Sequence, residues 1–189
     1  GDPFIFSNRN LPSSKSMTGV EAVLGLYVGG RHNNCVAIIG AGQIDAHGNI
    51  NSTTKDDGGF LLGSGGANDI TSSAADTIAI TQQSKDRLVE ALPYVTSPGK
   101  NVSTLVTDLG VFHKSGDIFE LDQYYQIDGQ GQEEAIKNIR NNCGWQLKIS
   151  PSLKSAPKPS SDQLLRLRLF DIRNDFLKYS VRPMTGKSK

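Results

Sequence analysis

The chain has 189 residues and a formal net charge of +1, with 37% hydrophobic and 21% charged residues. This length suits one compact domain or one half of a larger two-part fold, and the sequence has no run of about 18 apolar residues that could cross a bilayer. Because the basic residues are dispersed except near the C-terminus, they offer no footprint for a nucleic-acid backbone. We therefore expect a soluble protein with neither a membrane nor a nucleic acid as partner.

Cysteine usage and the N-terminus bear on the compartment. Cys35 and Cys143 are the two cysteines of the sequence, which fits two free thiols in a reducing compartment better than a disulfide scaffold. The N-terminal region lacks a basic stretch followed by an apolar segment, so the expected location is the cytoplasm. The chain begins with Gly1 rather than Met, which leaves proteolytic maturation, a tag scar and a fragment open.

The first elements alternate between apolar and polar segments. Residues 4–6 suggest a short strand, and apolar residues recur at helical spacing over 16–27, with Ser16 or Thr18 as helix cap. The continuous apolar run at 35–40 predicts a central strand that is buried on both faces, as in parallel sheets. Residues 43–55 are polar and predict a loop over the end of the sheet.

The next segment alternates as an α/β sheet does. Residues 60–62 are apolar, 63–69 are rich in glycine, 70–75 suit a short helix and 77–81 a strand. Strand, glycine loop, helix and strand in this order predict one crossover unit of a mainly parallel sheet.

Further along, two β-rich runs at 104–112 and 118–125 flank the turn-like residues 114–117. This pattern predicts a β-hairpin. A second clear helix is expected over 132–142, where the first turn carries acidic residues.

The C-terminal part changes in composition. Residues 150–161 are rich in Pro, Ser and Lys and predict a linker or arm, whereas 162–177 predict a terminal helix that docks on the body. We therefore expect an α/β domain over 1–150, which lacks its N-terminal part if the chain is a fragment, followed at 151–189 by a linker, a terminal helix and a polar tail.

The glycine-rich turn is the first candidate site. A turn of this kind between a strand and a helix lets a ligand approach the backbone, and its exposed N–H groups favour an anion or oxyanion. The segment matches neither the dinucleotide fingerprint nor the lysine-containing phosphate loop. The physics alone leaves a ligand role and a plain turn equally open.

Four segments in order resemble one enzyme family. Residues 38–53, which end in Gly-Asn-Ile-Asn-Ser-Thr, resemble the segment of family I CoA-transferase β subunits, of the glutaconate CoA-transferase type, that ends in Gly-Asn-Val-Asn-Ser-Thr. Residues 63–68 resemble the family's glycine loop, and 94–99 and 106–111 resemble two further family segments. The first 35 residues and the region beyond Tyr125 match only loosely.

This resemblance implies an open, mainly parallel sheet flanked by helices in three layers, with the β-hairpin near 104–125. It also implies an α-type half as partner in a hetero-oligomer, for instance a dimer of heterodimers. Coenzyme A would be bound as acyl-CoA substrate, with no tightly bound cofactor. In the family the glycine loop lies beside the thioester, which here assigns binding to Gly63, Ser64, Gly65, Gly66, Ala67 and Asn68.

The family's chemistry uses a glutamate of the β half. It attacks an acyl-CoA, passes through an acyl anhydride and becomes a glutamyl-CoA thioester, which an acceptor carboxylate then resolves. That glutamate lies in a Glu-Ser-Gly or Glu-Asn-Gly motif upstream of the first matched segment, and this sequence contains neither motif. Glu21 falls within a predicted helix, so the catalytic residue stays unknown: it lies on an upstream piece or a companion chain, or the chemistry has changed.

Other polar residues have two interpretations each. Gln43, Asn49 and Asn51 could orient an acyl carboxylate, or belong to a polar loop that satisfies its own backbone. His47 fits a surface turn better than a base, and Asp45 fits a brace of that turn. No metal site is predicted, because the histidines and cysteines lack ligand spacing.

Three hypotheses follow. The favoured one is a CoA-transferase β-type half that moves CoA between an acyl-CoA and a carboxylic acid. The second is hydrolysis, ring opening or decarboxylation of a CoA thioester on the same scaffold, since a fold does not fix the chemistry. The third is a non-catalytic domain that binds CoA or serves as a structural partner.

Overall fold

The computed structural model describes residues 8–30, 32–126 and 130–171. The chain forms two compact units, of which the larger is Thr18–Ala156 and the smaller combines Gly1–Met17 with Pro157–Lys189. The predicted strand at residues 4–6 and the predicted helix beyond Asp171 lie outside the described residues. The division after residue 150 that the sequence suggests stays a prediction.

The larger unit contains a helical N-terminal segment and an α/β body. In chain order its elements are α1 (Val20–Ala22), a π-helix that continues it (Val23–Val28), β1 (Val36–Gly40), β2 (Gln43–Ile44), β3 (Ile50–Asn51), α2 (Ala67–Ser73), β4 (Asp76–Ile80), β5 (Val102–Val106), β6 (Gly110–Ser115), β7 (Ile118–Tyr124), α3 (Gln132–Asn141) and β8 (Lys148–Ser155). The smaller unit contains a 3₁₀ turn (Asn8–Ser13) and α4 (Ser161–Phe170).

Six of the strands form one sheet in the order β1-β4-β5-β6-β7-β8. The pairs β1–β4, β4–β5 and β7–β8 are parallel, and the two pairs made by β6 are antiparallel. This confirms the prediction of a mainly parallel sheet flanked by helices. The strands β2 and β3 form a separate antiparallel ribbon.

The predicted hairpin is present as β6 and β7, which join through Gly116 at a φ of 63°. The first predicted run, 104–112, was wrong as a single strand, because it holds the end of β5, a tight turn and the start of β6. The hydroxyl of Thr107 accepts hydrogen bonds from the amides of Leu109 and Gly110 at 3.2 and 3.0 Å. A side chain that bonds its own backbone in this way makes a turn inside an apolar run.

The strand predicted to be central, β1, is instead the first edge strand of the sheet. Val36 and Ile38 of this strand are 59% and 66% exposed. The prediction that both faces of the strand are buried was therefore wrong for the described residues. A continuous apolar run shows that both faces avoid water, but it does not reveal whether this chain or a partner covers them.

The segment predicted as a linker begins with a strand, since β8 pairs in parallel with β7. Its register is interrupted between Ile149 and Lys154, around Pro151. Pro and polar residues are tolerated on an edge strand, where one row of backbone groups faces solvent. The composition of this edge strand is therefore similar to that of a linker, which is why the sequence predicted one.

Helix starts follow local capping chemistry. The N-cap of α1 is Gly19 rather than the predicted Ser16 or Thr18, and no side chain caps that helix. Helix α3 begins after Gly131 and carries Glu133 and Glu134 in its first turn, as predicted. Helix α4 begins with a capping box, in which the Ser160 side chain accepts from the Gln163 amide at 3.2 Å.

The main core lies on one face of the sheet. Strand residues Leu105, Phe112 and Leu121 are fully buried there, together with Leu88 from a loop and Ile139 from α3. Burial of each such side chain on folding contributes about 1.5 to 3 kcal/mol to the free energy of unfolding.

A smaller cluster joins the π-helix, β1 and α2. Val28, Ala37 and Ala74 are buried in it, with Leu24 and Ile70 packed against them. This cluster holds the glycine-rich residues before α2 close to the end of the sheet.

The two cysteines are free thiols, of which Cys143 is buried and Cys35 partly exposed. Burial raises the pKa of Cys143 to about 11, although a backbone hydrogen bond from Trp145 and the charge of Lys85 act in the opposite direction.

We predict that iodoacetamide at pH 8 leaves Cys143 unmodified in the native protein, because only about one thiol in a thousand is then the reactive thiolate. Mass spectrometry of tryptic peptides, with and without urea, measures this. Alkylation of Cys143 at equal rates in native and unfolded protein would contradict the buried position.

Candidate functional site

The candidate residues gather where β1 and β4 end. These strands are parallel and adjacent, so their carboxyl ends meet at one edge of the sheet. There the Ala41 amide donates to the carbonyl of Ile80 at 3.0 Å, and the Thr81 hydroxyl donates to the carbonyl of Ala41 at 3.0 Å. Open α/β sheets bind ligands outside the carboxyl ends of their strands.

The β2–β3 ribbon places Gln43 directly opposite Asn51. Asn51 is fully buried, and its amide donates to the Gln43 side-chain oxygen at 2.8 Å and to the Thr54 carbonyl at 2.6 Å. Its own oxygen accepts from the amides of Thr53 and Thr54 at 3.0 and 3.3 Å. Both donor hydrogens and the acceptor of Asn51 are thus used inside the protein, which favours a positioning role.

Gln43 keeps part of its hydrogen-bonding capacity. Its nitrogen donates to the carbonyl of Asp86 at 3.2 Å, and its oxygen accepts from Asn51. These two bonds fix the orientation of the Gln43 side-chain amide. The second N–H of Gln43 has no partner among the described residues.

Asn49 belongs to the turn between β2 and β3. Its nitrogen donates to Asp45 at 2.9 Å, and its oxygen accepts from the amide of Gly99 at 2.9 Å. Asp45 also accepts from the amides of His47 and Asn49, both at 2.9 Å. Asp45 braces this turn, as predicted, and His47 is an exposed turn residue.

Lys114 is a residue that sequence reasoning missed. Its ammonium group donates to the carbonyls of Gly99 and His47 at 2.6 and 2.8 Å, and so joins two loops. Burial lowers the pKa of Lys114, while the negative charges of Asp45 and Asp117 partly offset this effect. The only sequence signal was its place in a hairpin turn, which does not indicate a contact 67 residues away.

Gly99 permits this contact, because a side chain there would overlap the backbone of His47 and Gly48. Gly48 has a φ of 80°, a conformation that favours glycine. Glycines at 48 and 99 are therefore explained by the packing of the chain itself.

Thr96 connects the polar loop to the glycine loop. Its hydroxyl accepts from the Ser52 amide at 2.9 Å and lies 2.7 Å from the hydroxyl of Thr53. Its carbonyl accepts from the side chain of Asn68 at 2.7 Å. Segments that are far apart in sequence, at 52–53, 68 and 96, are held together by this one residue.

The glycine loop itself is exposed. Gly63, Ser64 and Gly65 face solvent, and the amides of Gly63 to Gly66 donate no hydrogen bond to any described residue. Gly65 needs glycine for its φ of 51°. At Gly63 the φ is ordinary, and a Cβ added there would have no atom within 4 Å.

Nothing among the described residues therefore requires glycine at position 63. A residue that could be larger without strain, beside free N–H groups, is typical of a backbone that a ligand or a partner approaches closely.

A cleft of about 340 Å³ lies beside this loop and is lined by Gly42, Leu61, Leu62, Ser84, Asp86 and Arg87. Gly42 follows β1, Ser84 follows β4, and Leu62 directly precedes Gly63. The structure thus brings together the glycine loop, the cleft and the Gln43–Asn51 pair at one edge of the sheet.

The described residues contain neither a candidate metal cluster nor a membrane-spanning helix. No three His, Cys, Asp or Glu side chains there lie together so as to hold a metal ion, and the absence of a metal site stays a prediction. Among the helices within the described ranges, none is long and apolar enough to cross a membrane.

Comparison with known proteins identifies relatives. No protein-family model matches the chain. It is 31% identical over 157 residues to the B subunit of glutaconate CoA-transferase of Acidaminococcus fermentans, covering 71% of this chain and 56% of the relative. It is 29% identical over 157 residues to the B subunit of 3-oxoadipate CoA-transferase of Pseudomonas knackmussii, covering 73% of this chain and 59% of that relative. The chain thus spans less than two thirds of these curated relatives.

Solved structures agree on the fold. The crystal structure of glutaconate CoA-transferase from Acidaminococcus fermentans matches with a TM-score of 0.64 and 26% identity, over 78% of this chain and 62% of that chain. The decarboxylase AibA/AibB matches with a TM-score of 0.73 over 88% of this chain and 68% of that chain. At 19% identity, the second likeness concerns the fold alone.

The Thr96 connection yields a prediction. Thr96→Val leaves the Ser52 amide buried without a partner, so we expect a loss of about 1 to 3 kcal/mol in the free energy of unfolding. Urea denaturation measures it, and hydrogen exchange of the Ser52 amide should accelerate because its acceptor is lost, while the backbone carbonyl of the new valine still accepts from Asn68. Thr53→Val is the matched control, since Thr53 is exposed and its loss leaves the Ser52 bond intact. Equal effects of the two variants would contradict the role of Thr96.

Proposed function

This chain is homologous to the B subunits of CoA-transferases, and on that premise we propose that it is the B-type half of an enzyme that moves CoA between an acyl-CoA and a carboxylic acid. The observation that carries the proposal is the exposed glycine loop, whose free amides lie at the carboxyl ends of β1 and β4. Acyl-CoA is the substrate, and no tightly bound cofactor is required.

The chemistry of acyl transfer suits such a loop. When a carboxylate attacks a thioester, negative charge develops on the carbonyl oxygen, and backbone N–H groups aimed at that oxygen stabilise it. Gly63, Ser64, Gly65 and Gly66 supply the free amides, Ala67 begins α2, and Asn68 anchors the loop to Thr96. The loop therefore has a binding and stabilising role, while the covalent step needs a separate nucleophile.

The nucleophilic glutamate is not assigned to a residue of this chain. The sequence holds neither Glu-Ser-Gly nor Glu-Asn-Gly. In the proposal, a companion chain or residues outside this sequence supply it. Gln43 orients the acyl group with its free N–H, whereas Asn49 and Asn51 hold the ribbon that carries Gln43.

A companion chain also follows from exposed apolar surface. Val36, Ile38 and Ile80 lie on one face of β1 and β4 and are 59%, 66% and 46% exposed. In the helical segment, Val20 and Leu26 are 64% and 68% exposed. Contiguous apolar surface of this kind marks protein interfaces, so we propose an α-type half and a hetero-oligomer.

The proposed location is the cytoplasm. Cys35 and Cys143 are both free thiols, which fits a reducing compartment.

A second function is favoured by the absent glutamate motif. The same loop could stabilise the oxyanion of a CoA thioester during hydrolysis, ring opening or decarboxylation. Such an enzyme would release its products without an acceptor carboxylate. A CoA-binding domain without turnover is the third candidate.

The deciding assay follows labelled CoA from an acyl-CoA donor to a carboxylate acceptor in the complex of this chain with its companion. We expect label to appear in the thioester of the acceptor. Free acid and free CoA, or carbon dioxide, released at rates independent of the acceptor would contradict CoA transfer and support the second function. Tight CoA binding without any product would support the third.

The loop's role is tested by Gly63→Val. We expect kcat/KM for the acyl-CoA to fall by about 10- to 100-fold, because the side chain occupies the space that the thioester needs. Unfolding free energy should change by less than about 0.5 kcal/mol, since nothing lies near the new side chain. Gly131→Val, also in open space but before α3, is the control. Unchanged kinetics in Gly63→Val would contradict the assignment.

A further inference from the structure

The helical segment beside the glycine loop has an uncommon geometry. Residues Val23–Val28 form a π-helix that continues the short helix α1. At its start the Leu24 carbonyl accepts from the Gly29 amide at 2.8 Å, a bond that spans five residues instead of four. Turns of this kind are rare and occur frequently at functional sites. Since a π turn holds more residues than a turn of an α-helix, it changes which side chains face the body of the protein.

In this turn, Leu24 packs on the backbone of the glycine loop. Both methyl carbons of Leu24 lie 3.4 Å from the place that a Cβ at Gly66 would take, and the Cδ1 of Ile70 lies 3.8 Å from it. Gly66 is the last glycine of the loop and the residue directly before α2, a helix that no side chain caps. Leu24 also packs against the small core cluster that contains Val28. It therefore joins that cluster to the loop.

The glycine loop has few other restraints among the described residues. The Ala67 amide donates to the Ser64 carbonyl at 3.0 Å. The Ile70 amide donates to the Gly66 carbonyl at 3.0 Å, as the first turn of α2 requires. These bonds hold two carbonyls of the loop, whereas the amides of Gly63 to Gly66 donate to no described residue. The direction of the free amides therefore depends on the packing around Gly66.

We propose that Leu24 is a positioning residue for CoA transfer: by packing on Gly66, it holds the free amides of the loop in the direction that the developing oxyanion needs. This inference rests on the proposed function. Donors stabilise a transition state only when they are already oriented toward the charge that develops, and a displacement of about 1 Å can lower the rate about 100-fold. Leu24 itself touches no substrate. Because the oxyanion exists only in the transition state, a misplaced loop lowers kcat more than it raises KM.

The experiment compares two truncations in the same core cluster. Leu24→Ala removes the contact with Gly66, and Leu24→Met keeps the side-chain volume. Val28→Ala is the matched control, since Val28 is buried in the same cluster and on the same π-helix, while the side chains nearest to Gly66 are those of Leu24 and Ile70. Transfer of labelled CoA from acetyl-CoA by the complex with the companion chain gives kcat and KM. Hydrogen exchange of the Ala67 amide reports the geometry of the loop directly.

We expect Leu24→Ala to lower kcat about 10-fold with less than about a threefold change in KM, and to accelerate exchange of the Ala67 amide. Leu24→Met should keep at least about half of kcat, and Val28→Ala should stay within about twofold of wild type.

An unchanged kcat in Leu24→Ala would overturn the inference, and so would equal losses in Leu24→Ala and Val28→Ala, because a general loosening of the cluster would then explain both. If wild type transfers no CoA, the proposed function is contradicted, and exchange of the Ala67 amide still tests the contact. Faster exchange in Leu24→Ala than in Val28→Ala supports positioning of the loop by Leu24, and equal rates overturn it.

Discussion

The hydrogen bonds of Thr96, buried to Ser52 and partly buried to Asn68, are the constraint on which the site depends. This one residue accepts from the backbone of the polar loop and from the side chain of Asn68. The glycine loop is held from within by the Ala67 amide, which donates to the Ser64 carbonyl at 3.0 Å, while the amides of Gly63 to Gly66 donate to no described residue. Its position at the end of the sheet is therefore set by its flanks: Leu24 and Ile70 on the side of the small core cluster, and Thr96 on the side of the polar loop.

Much of the polar character near the site is structural. Asn51, Asn49 and Asp45 use their hydrogen-bonding groups on neighbouring parts of the chain, and Lys114 joins two loops through carbonyls. Among the described residues near the site, these bonds leave the amides of the glycine loop and one N–H of Gln43 without a partner. A rigid frame with a small set of free donors is typical of a ligand-binding site.

Local patterns predicted the elements well and their surroundings less well. The glycine loop, α3 and the β6–β7 hairpin follow from periodicity and turn residues, which act within about ten residues. The edge position of β1 and the strand β8 did not follow, because an apolar run does not say what covers it, and Pro151 is allowed only where a strand lacks a neighbour. For the site, the resemblance located the loop, but the roles of Lys114 and Thr96 depend on contacts between distant segments that no local pattern encodes.

The central claim is that the free amides of the glycine loop meet the acyl-CoA. Hydrogen–deuterium exchange of the complex with its companion chain, with and without acetyl-CoA, measures this at the amides of residues 63–66. The account predicts that acetyl-CoA slows exchange there by at least about tenfold, since a bound carbonyl occupies the N–H groups. Saturating acetyl-CoA that protects other segments while exchange at 63–66 stays unchanged would contradict the account.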